Sequence, residues 1–165
     1  DREAVTALEK ALTKDKFWGV RRAAAAGLGE IGTEAARNAL LGAIRGQDSR
    51  VRRGVYRALG KFRNDDRAFQ ALSRAYLEDG GYYPMAAAAL ALGEARYLPA
   101  VEPLIASLRR ERDRHSLTSY PWPPPWSPAA DALLAIGDRR AAVPLGGFEH
   151  SLDAAGCDLH GGSGP

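Results

Sequence analysis

One short pattern recurs along the chain and constrains its fold more than any other feature. An alanine-rich segment, such as VRRAAAAGLGEIG at residues 20–32, contains an aliphatic residue followed by glycine. This pair returns after 31, 33 and 44 residues, and its copies are Leu28-Gly29, Leu59-Gly60, Leu92-Gly93 and Ile136-Gly137. Periods of this length are typical of stacked-repeat proteins. Because alanine offers little side chain to a core, we expect these segments to let neighbouring helices come very close.

Each period divides into two helical segments. In the first period, apolar residues recur at helical spacing over residues 3–12, and a second apolar run from Phe17 to Ile31 follows a polar break. The later second segments are expected at 51–62, at 84–95 and from residue 128 onward. Two of these segments have proline near their start. Proline suits a first helical turn, because a backbone N–H there has no partner within the helix and its loss costs nothing. We therefore predict an all-α chain of about four to five helical hairpins, stacked as an α-solenoid.

Two segments carry a resemblance to a known family. DKFWGVRRAAAAGLGEIG and its counterpart DSRVRRGVYRALGKF resemble the HEAT-repeat family, in particular the bacterial HEAT-like repeats also found in phycobilisome lyases. More specifically, they are similar to the helical C-terminal region of bacterial zinc aminopeptidases of the aminopeptidase N type. The resemblance covers about residues 3–145. It implies a ladder between repeats that involves Asp48, Arg52 and Arg21 and that stops where Met85 takes the arginine position.

The expected organisation is one repeat domain over residues 1–145, followed by a glycine-rich tail over 146–165 with an incomplete capping element. The repeats are expected at about 3–32, 33–63, 64–96 and 97–137. An insertion rich in proline and tryptophan, residues 113–127, lengthens the fourth repeat, and its prolines exclude a helix there. Because the sequence begins with Asp1 rather than methionine, we expect a domain excised from a longer polypeptide or a processed product.

Aromatic residues outside the repeat pattern are candidates for contact with a partner. Tyr120, Trp122 and Trp126 lie in the insertion, and Phe17 and Trp18 lie at the first turn between helices. Such side chains bury a large area on meeting a partner, but they also fill cores. From the sequence both interpretations stay open, packing within the chain and contact with another protein.

A basic helix face is the second candidate site. Arg50, Arg53, Arg57 and Lys61 follow one another at steps of three or four. They belong to a segment, residues 45–63, in which seven basic residues face a single acidic one, whereas the whole chain carries only +3. This pattern suits a surface that tracks phosphates, and an ordinary solvated helix face is the alternative.

No motif for catalysis or for a cofactor is recognisable. The sequence contains no HExxH, so a zinc-peptidase activity would not reside in this chain even if the aminopeptidase resemblance holds. His150, Cys157 and His160 in the tail lack the paired spacing of a metal site, and we expect neither metal nor cofactor. A bilin lyase is the least favoured function, because the only thiol, Cys157, lies outside the repeats.

The sequence therefore predicts a non-catalytic interaction domain whose partner is a protein or another domain of the same polypeptide. A nucleic-acid binder that uses the basic face at 45–63 is the alternative. No segment reaches the roughly 18 to 20 apolar residues of a membrane span, and the N-terminal residues lack the pattern of a signal peptide. We therefore expect a cytoplasmic protein without membrane contact.

Overall fold

Helices arranged in pairs make up the part of the chain that the structure describes. The computed structural model describes residues 2–115, 123 and 127–145, and within them it has eight α-helices and no β-strand. The helices are α1 Arg2–Lys14, α2 Trp18–Ile31, α3 Glu34–Gly42, α4 Ser49–Leu59, α5 Asp66–Glu78, α6 Tyr82–Glu94, α7 Val101–His115 and α8 Pro128–Ile136. The predicted all-α fold of stacked hairpins is confirmed. None of the helices described here is both long and apolar enough to cross a membrane.

The helices of the four hairpins form two layers. The second helices contact one another extensively, in the order α2, α4, α6, α8. The first helices follow one another in the order α1, α3, α5, α7 but contact each other much less. Because successive helices are closer in one layer than in the other, the stack curves with the second helices on its inside. We call α2, α4, α6 and α8 the inner layer and the other four helices the outer layer.

Leucines from both layers fill the space between them. The fully buried ones are Leu28, Leu59, Leu92 and Leu133 from the inner layer and Leu40, Leu72, Leu104 and Leu108 from the outer layer. Burial of one such side chain is favourable by about 1.5–3 kcal/mol. A single hairpin encloses its leucines on one side only, so their burial depends on the neighbouring hairpins. The leucine of the first three copies of the recurring pattern thus faces this core, and in α8 Leu133 takes that place, three residues before the expected Ile136.

The glycine of the recurring pattern marks the point where inner helices touch. A Cβ atom at Gly29 would lie 3.0 Å from the Cβ of Ala58 in the next hairpin. A Cβ atom at Gly60 would lie 2.8 Å from the Cβ of Ala91. The same close approach recurs between α6 and α8. Small residues on both sides therefore set the distance between inner helices, since a larger side chain would push two hairpins apart.

Short polar side chains and glycines fix the helix ends. Asp48, Asp65 and Ser127 accept hydrogen bonds from backbone N–H groups in the first turns of α4, α5 and α8. Gly32 and Gly137 end α2 and α8 with φ angles of 64° and 73°, which glycine adopts without strain. Gly137 occupies the position of Gly32 and not that of the recurring glycine, because the backbone N–H of each donates to the carbonyl of the leucine four residues earlier, Leu28 and Leu133.

A short helical segment follows Gly137 within the described residues. Arg139–Ala141 is a single turn of 3-10 helix, and Leu145 is fully buried nearby. This short segment contacts α7. The tail at 146–165, with the capping element expected there, lies outside the described residues.

Candidate functional site

Two ion pairs join successive hairpins at the turns between outer and inner helices. Arg52 donates to both carboxylate oxygens of Asp79 from Nε at 2.7 Å and Nη2 at 2.9 Å. Arg21 lies 3.4 Å from Asp48. Asp79 also accepts a hydrogen bond from the Tyr56 hydroxyl at 2.7 Å, and its side chain is only 2% exposed. We call these two pairs the ladder, since each arginine reaches the aspartate of the following hairpin.

Asp79 was missed by the sequence analysis, although a signal was present. It precedes Met85 by the same six residues that separate Asp15 from Arg21. A ladder arginine pairs with the aspartate of the next hairpin. Asp79 is therefore needed as the partner of Arg52, although its own hairpin has Met85 at the arginine position. Met85 has no donor to offer, and no third pair of this kind follows among the residues described.

The carboxylates of the ladder are held in their charged form. Hydrogen bonds from Arg50 lower the pKa of Asp48 to about 2, against the effect of burial. Burial would raise the pKa of Asp79, but hydrogen bonds from Arg52, a backbone amide and Tyr56 outweigh it and lower that pKa. Burial and the neighbouring Asp79 carboxylate raise the pKa of Tyr56 well above its usual value. Both ladder aspartates thus have their charges satisfied by neighbouring groups, and the ladder acts as a structural connection.

A further ion pair joins the outer helices and was also missed. Arg37, with 9% of its surface exposed, donates to Asp65 at 2.5 Å and to Glu34 at 2.8 Å. It connects α3 to the N-terminal end of α5. The Tyr76 hydroxyl donates to Ser107 at 2.9 Å and connects α5 to α7. Arg37 and Asp65 are 28 positions apart, and Tyr76 and Ser107 are 31 positions apart. No local sequence pattern therefore predicts these two contacts.

Exposed aromatic and arginine side chains meet where inner helices begin. The rings of Phe17 and Trp18, at the start of α2, lie 5.5 Å apart. The guanidinium of Arg50 lies 4.5 Å from the Trp18 ring, and that of Arg53 lies 5.6 Å from the Tyr83 ring at the start of α6. This surface crosses three hairpins. We call it the aromatic rim, and its members are Phe17, Trp18, Arg50, Arg53, Tyr82 and Tyr83.

The rim contains two of the contact residues that the sequence predicted, Phe17 and Trp18, and two tyrosines that it did not predict, Tyr82 and Tyr83. Phe17 is 60% exposed, while Trp18 is partly buried against the core. Tyr83 is 68% exposed and touches Tyr82 edge to face, with ring centroids 5.6 Å apart. The sequence carried a signal for them, because Tyr82 and Trp18 both stand ten residues before the recurring leucine. Equivalent repeat positions thus bring aromatic residues to the same edge of the stack.

A groove of about 560 Å³ runs between α2 and α4 beside the rim. It is lined by Gly19, Arg22, Ala23, Ala26, Arg53, Gly54, Arg57, Ala58 and Lys61. All of these belong to the inner layer or to the turn after α4, so the groove lies on the inside of the curved stack. We call it the inner groove.

Two of the four residues of the predicted basic face are paired within the chain. Lys61 forms an ion pair with Glu30 of α2, and Arg50 pairs with Asp48 at 2.9 Å. Arg53 and Arg57 are exposed on the inner face. The pattern of basic residues does not show these two pairings, because Glu30 comes from the neighbouring hairpin and Asp48 from the turn before α4.

Several other candidate residues lie outside the described part of the chain. Tyr120, Trp122 and Trp126 of the insertion belong to this group, as do the three histidine and cysteine residues of the tail. Within the described ranges, no group of His, Cys, Asp and Glu side chains is arranged to hold a metal ion. The candidate partner surface consists of the aromatic rim and the inner groove.

A family model described as HEAT repeats matches residues 5–93, which is more than half of the chain. The chain belongs to the HEAT-repeat family. The matched part of this HEAT-repeat protein runs from α1 almost to the end of α6 and contains the ladder, the rim and the inner groove. The fourth hairpin continues the stack through the same contact between inner helices.

Among solved structures, this HEAT-repeat chain is similar to the complex of CpcE and CpcF of phycocyanin lyase from Nostoc sp. PCC7120. The two share 25% sequence identity with a TM-score of 0.68, and the match covers 92% of this chain. The chain corresponds to 63% of the length of that solved chain. A comparison with curated proteins gives no match.

Proposed function

We propose that the chain is a non-catalytic HEAT-repeat scaffold that binds a partner protein through the aromatic rim. The exposure of Phe17 and Tyr83, in a surface where arginine guanidinium groups lie over aromatic rings, carries the proposal. Single exposed apolar side chains are common, but clustered Trp, Tyr and Arg are the residues that dominate the energy of protein interfaces. Since the rim residues already contact one another, they lose little further freedom on binding.

The similarity to a complex of two proteins supports a protein partner for this scaffold. Because the chain corresponds to only part of that solved chain, we do not assign it a lyase activity. The similarity to the C-terminal region of zinc aminopeptidases stays a prediction from the sequence, since neither comparison concerns a peptidase. On that prediction the partner is another domain of the same polypeptide, with an HExxH motif encoded upstream in the same reading frame.

Photo-crosslinking from the rim tests the protein-binding function. p-Benzoylphenylalanine at Tyr83 is expected to form an adduct with a specific protein in an extract of the source cells, identified by mass spectrometry. Leu77 is the matched control, because it is 48% exposed but lies on the outer helix α5. The same photo-reactive residue at Leu77 is expected to leave that protein unlabelled.

The affinity of the purified partner then decides between specific and adventitious labelling. Replacing both Phe17 and Tyr83 with serine is expected to raise the Kd at least about tenfold, since two aromatic contacts are lost. Leu77→Ser is expected to leave the Kd unchanged. Equal labelling from Tyr83 and Leu77, or an unchanged Kd without the rim aromatics, would contradict the proposed function.

A further inference from the structure

The inner groove holds three arginines without an acidic neighbour. In the described residues, no carboxylate lies within 4 Å of the guanidinium groups of Arg22, Arg53 and Arg57, which line one groove together. Arg22 and Arg53 lie instead over the rings of Trp18 and Tyr83, at 5.1 and 5.6 Å. A guanidinium that stacks on a ring keeps its N–H donors in its own plane, where they are available to an acceptor.

We propose that the inner groove binds an acidic segment of the partner protein, with carboxylates paired to Arg53 and Arg57. This inference rests on the proposed function, because it takes the partner to be a protein, and it adds the chemistry by which that partner is recognised. Arginine binds a carboxylate through two parallel hydrogen bonds, so the pairing is directional as well as electrostatic. Apolar residues beside the acidic ones would contact Phe17 and Tyr83 on the rim.

The charges around the groove favour a short acidic segment over a nucleic acid. Glu30 at Lys61 and Asp48 at Arg50 neutralise two of the basic side chains, so few positive charges remain for a ligand. A nucleic acid carries a charge at every nucleotide, and its strong complexes use about six to ten phosphate contacts. Three arginines in one groove match a segment with a few carboxylates better.

The inner face loses its basic character in the C-terminal half of the stack. A smaller groove between α6 and α8, about 230 Å³, is lined by Tyr82, Ala86, Leu90, Gly93, Pro128, Asp131, Ala132 and Ala135. No basic residue lines it, and Leu90 is 50% exposed. The positive surface therefore ends after the second hairpin, which limits how many acidic residues a bound segment can engage.

Binding of defined probes to the purified full chain tests the inference. The probes are a fluorescein-labelled peptide of alternating glutamate and leucine, the same peptide with glutamine for glutamate, and a single-stranded DNA of equal length. Fluorescence anisotropy is recorded at low and at physiological salt. We expect the glutamate peptide to bind more tightly than both other probes, with an affinity that falls as salt is added.

Charge reversal then locates the site. Arg53→Glu combined with Arg57→Glu is expected to raise the Kd of the glutamate peptide about tenfold or more. Arg74→Glu combined with Arg109→Glu makes the same change in net charge on exposed residues of the outer helices, and is expected to change the Kd less than about twofold. Arg53→Gln with Arg57→Gln removes the two charges without adding acidic ones and should weaken binding in the same direction.

Three results would overturn the inference: equal binding of the glutamine peptide, tighter binding of DNA than of the glutamate peptide, or an equal loss in the outer-layer variant. Failure of the inference is distinguishable from failure of the proposed function. A partner can crosslink to Tyr83 and depend on the rim aromatics while its binding is unchanged by charge reversal at Arg53 and Arg57. That result would support the scaffold function and contradict the binding of an acidic segment.

Discussion

Successive helices are held together differently in the two layers of this stack. In the inner layer, glycine of one helix faces alanine of the next, as at Gly29 with Ala58 and at Gly60 with Ala91. In the outer layer, long side chains bridge the gap, as in the ion pair between Arg37 and Asp65. Small residues bring the inner helices close, and ion pairs span the wider spacing outside. The difference between the layers therefore produces the curvature and presents the rim and the groove on the inside.

The largest expected effect is at the ladder, where the two layers meet. Asp79→Ala removes the partner of Arg52 from a site where the aspartate is 2% exposed. It is expected to lower the free energy of unfolding by about 3 kcal/mol, because the arginine charge is left uncompensated. Urea denaturation measures this loss. The control is Glu78→Ala, which removes a surface pair with Arg45 and should cost less than about 1 kcal/mol.

A smaller loss is expected from the outer layer itself. Asp65→Asn keeps a side chain that can still begin α5 but removes the charge that pairs with Arg37. The free energy of unfolding is expected to fall by about 2 kcal/mol, the value of a hydrogen bond between charged groups. Asp66→Asn, at the next and exposed position, should change it by less than about 0.5 kcal/mol. Equal effects of the two substitutions would mean that the outer helices do not depend on this pair.

Acid should weaken the ladder before it affects the inner contacts, which contain no titratable group. The pKa of Asp48 is about 2 in the folded chain, below its ordinary value of 3.8. A lowered pKa stabilises the fold above pH 4, and this contribution is lost as the pH falls from about 4 to 2. We expect the urea midpoint to fall over this window, and to fall less steeply in Asp48→Asn. An equally steep fall in Asp48→Asn would show that the Asp48 carboxylate contributes nothing to this pH dependence.

The smallest effect on stability is expected at the rim. Phe17→Ala and Tyr83→Ser replace side chains that are 60% and 68% exposed. Each should change the free energy of unfolding by less than about 0.5 kcal/mol, since little buried surface is lost. Thermal unfolding provides the measurement. A large loss would assign these residues to packing rather than to partner contact.

The features that follow local periodicity could be predicted from the sequence, and those that join distant positions could not. Recurring pairs such as Leu28-Gly29 place the leucine in the core and the glycine at the helix contact, because both roles follow from position within one helix. The pairing of Arg52 with Asp79 joins residues 27 positions apart and depends on how hairpins stack. The partner of Lys61 could not be predicted for the same reason, since Glu30 reaches Lys61 only across the contact between α2 and α4.

The unfolding free energies of Gly60→Ala and Gly42→Ala test the central claim, that glycine sets the distance between inner helices. A Cβ atom at Gly42 would meet nothing within 4 Å, so alanine there should stabilise the outer helix α3 by up to about 1 kcal/mol. At Gly60 the Cβ would lie 2.8 Å from the Cβ of Ala91, and alanine should destabilise the chain by about 1–2 kcal/mol. Opposite signs are the predicted result. Stabilisation by both substitutions would contradict the account.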